Sequence, residues 1–375
     1  MKILVLNHEF SPIGGGGGRA ALDICRGLVE RGHNVMALTA HIKGLPRIEN
    51  LDGIELIRLA SMRREPFRAD LLAMTSYVLA GLWAGYRLIR RNRPDVIHVH
   101  FAVPAGAVAW ALFRLTGVPY VLTAHLGDVP GGVPEKTDRW FKWLLPFTYP
   151  IWRDAKKVVA VSEYTRQLAL RHYPREIIII PNGVEVEKLR PAKIAVNNPP
   201  CIVFAGRFMP QKNPLRVVEV LADLSHLPWH CVMLGDGPLL PEVQRAILQR
   251  GLQARFSLPG WVTPEQVLAW FDRSDILFLP SLSEGLPVVG VQALAKGLAI
   301  VASRVGGLTE LVEQGKNGSL HSPEDANGMK LGLLRLLEDP HHLLKARRHS
   351  LSRAQAFDLQ GIVTSYERLL EEVCS

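Results

Sequence analysis

Short runs of apolar residues recur along the chain, and a longer stretch with helical spacing follows each of them. In the first half these runs cover residues 2–7, 35–39, 96–100, 120–124, 158–161 and 177–180. In the second half they cover residues 202–205, 231–234, 256–258, 276–279 and 300–302. This alternation is typical of parallel strands joined by crossover helices. The pattern predicts an α/β protein with two doubly wound parallel sheets.

The length of the chain also predicts two domains. At 375 residues it exceeds the roughly 250–300 residues at which one hydrophobic core stops growing. Pro, Gly and Asn break both periodicities within residues 181–200, so we expect an interdomain linker there. The predicted domains cover residues 1–183 and 184–353. Residues 354–375 have helical spacing with no strand after them, which predicts a terminal helix; the sequence leaves open whether it packs back on the N-terminal domain.

Composition and cysteine usage indicate a globular protein of a reducing compartment. Apolar residues make up 48% and charged residues 21% of the chain. The four cysteines are scattered without metal-ligand spacing. The amino terminus has neither the apolar stretch nor the cleavage site of a signal peptide. We therefore expect a cytoplasmic protein.

Residues 71–89 resemble a membrane span, because they are nearly free of charge and have arginines on both sides. Arg87 and the polar residues Thr75, Ser76 and Tyr77 interrupt the stretch, and it leads directly into a predicted strand. We interpret it as a buried or amphipathic surface helix.

The net charge of +9 is concentrated in the first half of the chain. Residues 1–185 carry 24 Lys and Arg against 16 Asp and Glu, or +8, and the remainder carries 20 against 19, or +1. Such an excess can attract nucleic acid, an anionic membrane or an acidic substrate, or can simply be solvated. Basic and aromatic residues alternate within 139–145, which fits a membrane surface better than a duplex. Without a basic recognition helix or a stacking motif, we expect no nucleic-acid partner.

Five glycines, Gly14 to Gly18, separate the first predicted strand from a predicted helix over residues 19–30. Glycines let backbone N–H groups approach a ligand, and the helix N-terminus behind them favours negative charge. Such a loop suits a diphosphate, with Gly15 and Gly16 nearest to it. The alternative interpretation is a flexible loop beside an acceptor.

Arg207 and Lys212 lie in the turn after the first strand of the second domain. Two cations five residues apart can converge on one anion, Arg through forked hydrogen bonds and Lys as a mobile charge. The pair could therefore stabilise a diphosphate leaving group. Alternatively, both are exposed cations of a turn.

Glu284 follows another predicted strand and precedes the turn Gly285-Leu286-Pro287-Val288, which leads into a helix. A carboxylate there can hydrogen-bond sugar hydroxyls while neighbouring N–H groups face a phosphate. Glu284 could also be an ordinary helix cap.

His98 and His100 point to one face of a strand, as metal ligands can, but no third ligand is evident nearby. They could equally be structural or cleft-lining histidines.

Seven stretches together make the sequence recognisable. They are Gly15-Gly16 with Arg31-Gly32-His33, Pro94-Asp95-Val96-Ile97-His98-Val99-His100, Thr123-Ala124-His125, Pro181-Asn182-Gly183-Val184, Gly206-Arg207 with Lys212, Leu234-Gly235-Asp236-Gly237-Pro238, and Pro280-Ser281 with Glu284-Gly285-Leu286-Pro287. In this order the chain resembles retaining glycosyltransferase family 4 over nearly its whole length. The resemblance implies the GT-B fold, in which two Rossmann-like domains face each other across a cleft. It further implies an N-terminal acceptor domain and a C-terminal nucleotide-sugar domain.

The resemblance also implies roles for individual residues. Arg207 and Lys212 would bind the donor diphosphate, with Gly15 and Gly16 approaching it, and Glu284 would act with them in catalysis. The remaining implied positions are the amides of Gly285, Leu286, Pro287 and Val288 around the donor, His125 at a sugar hydroxyl such as O6, and Arg19, His100 and Asn182 at the acceptor or in the cleft.

One position departs from the family pattern. The family has a second glutamate eight residues after the first, which usually bonds the nucleotide ribose, and this chain has Gln292. Eight residues are just over two helical turns, so both side chains could still face the same cleft. Gln keeps an acceptor but loses the charge-assisted bond. We expect weaker or altered nucleotide binding rather than loss of chemistry.

The resemblance implies transfer of a hexose from a nucleotide diphosphate sugar, a UDP-sugar first, without a cofactor or metal. The departing phosphate would help to deprotonate the acceptor hydroxyl on the same face of the sugar. The acceptor would be a glycan or a lipid-linked glycan at the inner face of an anionic membrane, in cell-envelope polysaccharide or glycolipid synthesis. Two alternatives stay open: a catalytically weakened sugar-nucleotide-binding partner subunit, and a GT-B sugar-nucleotide epimerase.

Overall fold

A computed structural model describes residues 1–65, 69–132 and 145–375. It divides the chain into two units. The first unit comprises residues 1–183 and 359–375, and the second comprises residues 184–358. Each contains one largely parallel sheet, so the predicted α/β class with two such sheets is confirmed.

The sheet of the first unit has eight strands in the order β3-β4-β2-β1-β5-β6-β7-β8. Their bounds are β1 Lys2–Leu6, β2 Asn34–Ala40, β3 Ile48–Leu51, β4 Ile54–Leu59, β5 Val96–His100, β6 Tyr120–Ala124, β7 Lys157–Ala160 and β8 Ile178–Ile179. Among the described strands of this unit, the edge strand β3 is the one that runs antiparallel to its neighbour.

Helices cover both faces of this sheet. They are α1 Gly16–Glu30, α2 Leu71–Arg91, α3 Ala107–Thr116, α4 over residues 145–154, α5 Glu163–Leu170 and the C-terminal helix, α14 Leu359–Cys374. Alternate residues of β1 face opposite sides: Ile3 and Val5 join the core under α1 and α14, and Leu4 and Leu6 join the core under α2, α3 and α4. Burial on both sides explains why the strand is a continuous apolar run.

The sheet of the second unit has six strands in the order β11-β10-β9-β12-β13-β14. Their bounds are β9 Cys201–Ala205, β10 His230–Leu234, β11 Phe256–Gly260, β12 Ile276–Leu279, β13 Ala299–Ser303 and β14 Gly318–His321. The helices of this unit are α6 Val186–Leu189, α7 Pro214–Ala222, α8 Leu240–Gln249, α9 Pro264–Phe271, α10 Val288–Ala295, α11 Leu308–Leu311, α12 Ala326–Glu338 and α13 Pro340–Ala354. All of its strand pairs are parallel.

Three strands were not predicted. β3 and β4 form a hairpin around Asp52 and Gly53, which both have positive φ, and Asn50 accepts a hydrogen bond from the Gly53 N–H at 2.8 Å. Asp-Gly between two short strands is a strong hairpin signal, but β3 is polar and largely exposed, so it shows no apolar run. β14 is a short edge strand that begins at Gly318.

Two predicted helix boundaries were wrong. Helix α1 begins at Gly16 rather than Arg19, so the last three glycines form its first turn instead of a loop. Ala354 ends α13 rather than starting the terminal helix, and α14 begins at Leu359 after a short turn. Residues 354–358 therefore belong to the second unit.

Helix α14 packs on α1. Gly27 of α1 faces Val363, so closely that a Cβ at residue 27 would overlap the valine methyl groups. Glu367 of α14 accepts hydrogen bonds from Arg31 at 2.6 Å and, through its other oxygen, pairs with the His33 ring at 2.7 Å. A glycine contact and a polar cluster thus hold the C-terminal helix on the first unit.

The stretch that resembled a membrane span is helix α2, as predicted. Within the three described ranges, no helix is long and apolar enough to cross a membrane. The basic aromatic segment 139–145 lies outside the described residues, apart from Leu145.

Replacing Gly27 by Leu should destabilise the first unit by about 1–3 kcal/mol, because the added side chain overpacks the contact with Val363. Urea unfolding measures the change. Gly361→Leu on α14 is the matched control, since a Cβ there meets nothing within 4 Å. Equal stability of the two variants would contradict the close packing of α14 on α1.

Candidate functional site

In each sheet the chain order reverses between one pair of neighbouring strands. These pairs are β1 and β5 in the first unit and β9 and β12 in the second. Ligands of open α/β sheets bind beyond the carboxyl ends of the strands at such switch points. The loops after β9 and β12 carry Arg207, Lys212 and Glu284. The loops after β1 and β5 carry the glycine loop and Phe101.

Glu284 forms a buried ion pair in the second unit. Its side chain is only 6% exposed, and its Oε1 accepts hydrogen bonds from Lys212 Nζ at 2.5 Å and from Ser281 Oγ at 2.7 Å. The structure therefore joins two residues that the sequence assigned to different parts of a ligand.

Two further hydrogen bonds join the same two loops. The Leu282 N–H donates to the carbonyl oxygen of Gln211 at 2.8 Å, and the Gln211 side-chain amide donates to the carbonyl oxygen of Ser283 at 3.0 Å. Lys212 ends a short 3₁₀ turn, after which Asn213 is left-handed and α7 begins. This geometry directs the lysine to the β12 loop.

The loop after β13 packs against the backbone of Glu284 and Gly285. Gly306 has a φ of +53°, and a Cβ there would collide with the carbonyl oxygen of Glu284. The next amide, of Gly307, donates to the carbonyl oxygen of Gly285. Only glycine permits this approach at residue 306, so the loop fixes the path of the Glu284 turn.

The turn that carries Arg207 has a similar support. The Phe208 N–H donates to the carbonyl oxygen of Asp236 at 2.9 Å, and the Leu239 N–H donates to the carbonyl oxygen of Phe208 at 3.0 Å. Gly235 lies so close to the Gly206 carbonyl that a Cβ would not fit. The stretch 234–238 therefore shapes the turn that presents the half-buried Arg207.

Helix α10 begins only at Val288, with Pro287 as its N-cap. Glu284 thus lies in the preceding loop, and the argument that places Glu284 and Gln292 on one helix two turns apart is wrong. Gln292 lies on α10 itself and is half-buried. The first turn of α10 presents backbone N–H groups beside the Glu284 loop.

Glu9 organises the glycine loop of the first unit. Its Oε2 accepts a hydrogen bond from the Gly15 N–H at 3.2 Å, and its Oε1 lies 3.6 Å from the buried Arg63 guanidinium. Gly14 has a φ of +90° and contacts the Glu9 side chain. The exposed Gly15 and Gly16 therefore lie next to a partly buried ion pair, in which Arg63 is buried and Glu9 is partly exposed. Sequence reasoning missed Glu9 and Arg63, although Glu9 follows a strand as the other candidates do.

Phe101 joins the glycine loop to His125. A Cβ at Gly17 would overlap the Phe101 ring and contact the His125 ring. The two rings stack with their centroids 4.4 Å apart. Phe101 has a φ of +71°, which is strained for a residue with a side chain and is typical of functional sites. Sequence reasoning also missed this residue.

His125 is one of four buried histidines in this region, with His8, His98 and His100. His100 Nδ1 lies 3.4 Å from His125 Nε2, and His98 Nε2 lies 2.9 Å from Thr123 Oγ1. Burial lowers the pKa of His8 and of His125 to about 4 and that of His98 to about 3. Burial also lowers the pKa of His100 well below its ordinary value. The cluster is therefore neutral at pH 7 and can donate and accept hydrogen bonds.

Asp128 fixes the backbone at His125. Its Oδ2 accepts a hydrogen bond from the His125 N–H at 2.8 Å, and its own N–H donates to the His125 carbonyl oxygen at 3.0 Å. Burial raises the pKa of Asp128 well above the ordinary value. His125 is thus held in place on its backbone side.

The other two predicted residues of the first unit are Arg19 and Asn182. Arg19 on α1 donates to Asp23 at 3.0 Å, and Asn182 is buried beyond the edge strand β8. An open pocket of about 290 Å³ lies at the amino ends of β5 and β6, bounded by Asp95, Pro119 and Cys374. It is at the opposite edge of the sheet from the candidate residues.

Comparisons with known proteins cover almost the whole chain. A sequence model described as Glycosyltransferase Family 4 matches residues 14–188, and one described as Glycosyl transferases group 1 matches residues 185–355. The chain is 25% identical over 345 residues to the UDP-Gal:alpha-D-GlcNAc-diphosphoundecaprenol alpha-1,3-galactosyltransferase of Escherichia coli, which covers 80% of this chain and 88% of that one.

Solved structures show the same fold. Sucrose-phosphate synthase from Thermosynechococcus elongatus has a TM-score of 0.85 at 20% identity, over 99% of this chain and 98% of that one. Anabaena Alr3699/HepE, solved in complex with UDP-glucose, has a TM-score of 0.79 at 20% identity, over 99% of this chain and 100% of that one. The chain therefore belongs to glycosyltransferase family 4 and has the GT-B fold of two Rossmann-like domains.

Proposed function

We propose that this glycosyltransferase transfers a hexose, with retention, from a nucleotide diphosphate sugar to a hydroxyl of a glycan or lipid-linked acceptor. One observation carries the proposal: the carboxylate of Glu284 is buried between Lys212 and Ser281 at the switch point of the second sheet. A negative group held there, beside the start of a helix, suits a ligand with sugar hydroxyls and phosphates.

The Glu284 carboxylate can bind sugar hydroxyls through one oxygen. The bonds from Lys212 and Ser281 both use Oε1. Oε2 is then the oxygen that accepts hydrogen bonds from the donor sugar. The Lys212 ammonium beside this carboxylate offsets its charge in a site where little water reaches it, and hydrogen bonds from sugar hydroxyls to a carboxylate are charge-assisted.

The cations and the helix start would stabilise the leaving group. Negative charge grows on the diphosphate as the bond to the sugar breaks, and donors that are already in place stabilise that charge most. Arg207, the remaining N–H bonds of Lys212 and the first amides of α10 supply such donors. We therefore propose a reaction without a metal ion, in which the departing phosphate helps to deprotonate the acceptor on the same face of the sugar.

The proposed donor and acceptor classes agree with the names of similar proteins. Anabaena Alr3699/HepE binds UDP-glucose, and the Escherichia coli relative is named for UDP-galactose and a diphosphoundecaprenol acceptor. The basic excess of the first half of the chain suits an anionic acceptor or membrane surface. We propose a UDP-sugar as donor, and a role at the cytoplasmic face of the membrane in envelope polysaccharide or glycolipid synthesis.

His125 would act as a neutral partner in this reaction. Its lowered pKa keeps the ring uncharged at working pH, so it can both donate to and accept from sugar hydroxyls. Phe101 and Asp128 hold the ring from its face and its backbone.

Glu284→Ala and Glu284→Gln should each lower kcat by about a hundredfold or more, because the lost acceptor acts on the reacting sugar. Release of UDP from UDP-sugar in the presence of acceptor measures the effect, and circular dichroism verifies folding. Asp272→Ala is the matched control, because Asp272 forms a 2.6 Å pair with Lys296 elsewhere in the same unit. Full activity of Glu284→Gln would overturn the proposed role of the carboxylate.

UDP should raise the melting temperature of the protein more than GDP or ADP at equal concentration, since ligands that bind the folded state stabilise it. Gln292→Glu should increase the UDP shift by restoring a charge-assisted bond to the ribose, equivalent to about a tenfold change in Kd. Thermal-shift measurements test both. Equal shifts with all three nucleotides would contradict the uridine preference, and an unchanged shift in Gln292→Glu would contradict the ribose contact.

Stability should fall as the pH decreases from about 6.5 towards 4. The histidines of the unfolded chain bind protons near the ordinary pKa of 6.5, whereas the buried rings of the folded chain do not. Their contribution to the free energy of unfolding is therefore full above pH 6.5 and is lost as the pH falls below it. Each histidine adds a slope of about 1.4 kcal/mol per pH unit in this range. Urea unfolding at several pH values measures the slope.

His98→Gln should reduce this pH slope by about the amount that one histidine adds, since Gln can still bond Thr123 but takes up no proton. His226→Gln, at an exposed position of the second unit, is the control and should leave the slope unchanged. An identical slope in both variants would show that the buried cluster does not exclude protons.

A further inference from the structure

Helix α2 packs its small side chains inward. Its buried residues repeat every four positions: Ala73, Tyr77, Gly81, Gly85 and Ile89. A Cβ at Gly85 would contact the Leu112 methyl groups of α3 at 2.7 Å, and one at Gly81 would contact Val108 at 3.2 Å. The two glycines therefore let α2 lie close against α3.

Four large apolar side chains of α2 point away from this buried face. Leu79 and Trp83 are each 65% exposed, and Leu72 and Tyr86 are also exposed. Steps of seven, four and three residues place all four on one face of the helix. A surface helix normally turns its apolar face to the core and its polar face to water. Here the outer face is apolar as well, which explains why the sequence resembled a membrane span.

The outer face also carries positive charge. The Arg87 guanidinium lies 4.7 Å from the centre of the Trp83 ring, and Arg90 and Arg91 follow in the last turn and are exposed. The helix itself contains no Asp or Glu. Exposed aromatic rings with arginines beside them are typical of groups that sit at the boundary between lipid tails and headgroups.

Neighbouring helices also expose apolar residues. On the same side of the sheet, α3 exposes Leu115 next to Arg114, and α4 exposes Phe147 and Tyr149. Tyr77 anchors α2 on the sheet by donating a hydrogen bond to the carbonyl oxygen of Leu38 at 3.1 Å. The helix is thus held flat on its domain, with its apolar face directed away from it.

We propose that the outer face of α2, formed by Leu72, Leu79, Trp83 and Tyr86 with Arg87 and Arg90, docks on an anionic lipid bilayer. The apolar side chains enter the interface and the arginines bind lipid phosphates. This surface would provide the membrane binding in the proposed function, and the inference rests on that function. Its test requires no sugar transfer.

The test is sedimentation of the full chain with vesicles of phosphatidylcholine alone or mixed with phosphatidylglycerol, at low and high salt. Wild type should bind the mixed vesicles and dissociate partly at high salt. Leu79→Gln/Trp83→Gln should weaken binding by about tenfold or more, because two buried apolar groups are lost. Arg87→Gln/Arg90→Gln should remove most of the preference for phosphatidylglycerol.

Leu248→Gln on α8 is the matched control, because Leu248 is 62% exposed on the second unit, and it should bind as wild type does. The proposal is overturned if the Leu79 and Trp83 variant binds like wild type, or if wild type ignores mixed vesicles. It is equally overturned if light scattering shows a dimer that the α2 variant dissociates, since a second copy then covers the face. UDP release with a soluble acceptor should be unchanged in the α2 variants, which separates this result from failure of the proposed transfer.

Discussion

The ion pair between Glu284 and Lys212 is the interaction on which the candidate donor site depends. Burying a carboxylate without a partner costs several kcal/mol, and the bonds from Lys212 and Ser281 offset that cost at Glu284. The pair joins the loops after β9 and β12, the strands between which the chain order of the sheet reverses. The same loop requires glycine at residue 306, because a side chain at that position would displace the Glu284 backbone.

The candidate residues of the first unit are mostly neutral rather than charged. Its histidines are buried so deeply that they are neutral, and stacking on Phe101 and backbone bonds to Asp128 orient His125 instead of ion pairs. The charged pair of this unit, Glu9 with Arg63, lies beneath the glycine loop. Neutral hydrogen-bonding groups suit hydroxyls, and the charged second unit suits a diphosphate.

Prediction from sequence succeeded where burial leaves a strong pattern and failed where it does not. Strands buried on both faces, such as β1 and β5, appear as continuous apolar runs. The edge strand β3 is half exposed and polar, so the β3–β4 hairpin had only its Asp52-Gly53 turn as a signal. Helix ends depend on local capping and on packing, which explains why α1 begins at Gly16 and α14 begins only at Leu359.

By itself the sequence determined the two parallel sheets, the family and the loops that carry Glu284, Lys212 and His125, because these follow from apolar runs and short local motifs. Only the tertiary structure decided that Lys212 bonds Glu284, that Glu9 and Phe101 join the first site, and that α14 packs on α1. It also decided that α2 turns Gly81 and Gly85 inward while Leu72, Leu79 and Trp83 stay exposed. Such pairings join residues far apart in the chain, and their energies depend on burial, which periodicity alone does not specify.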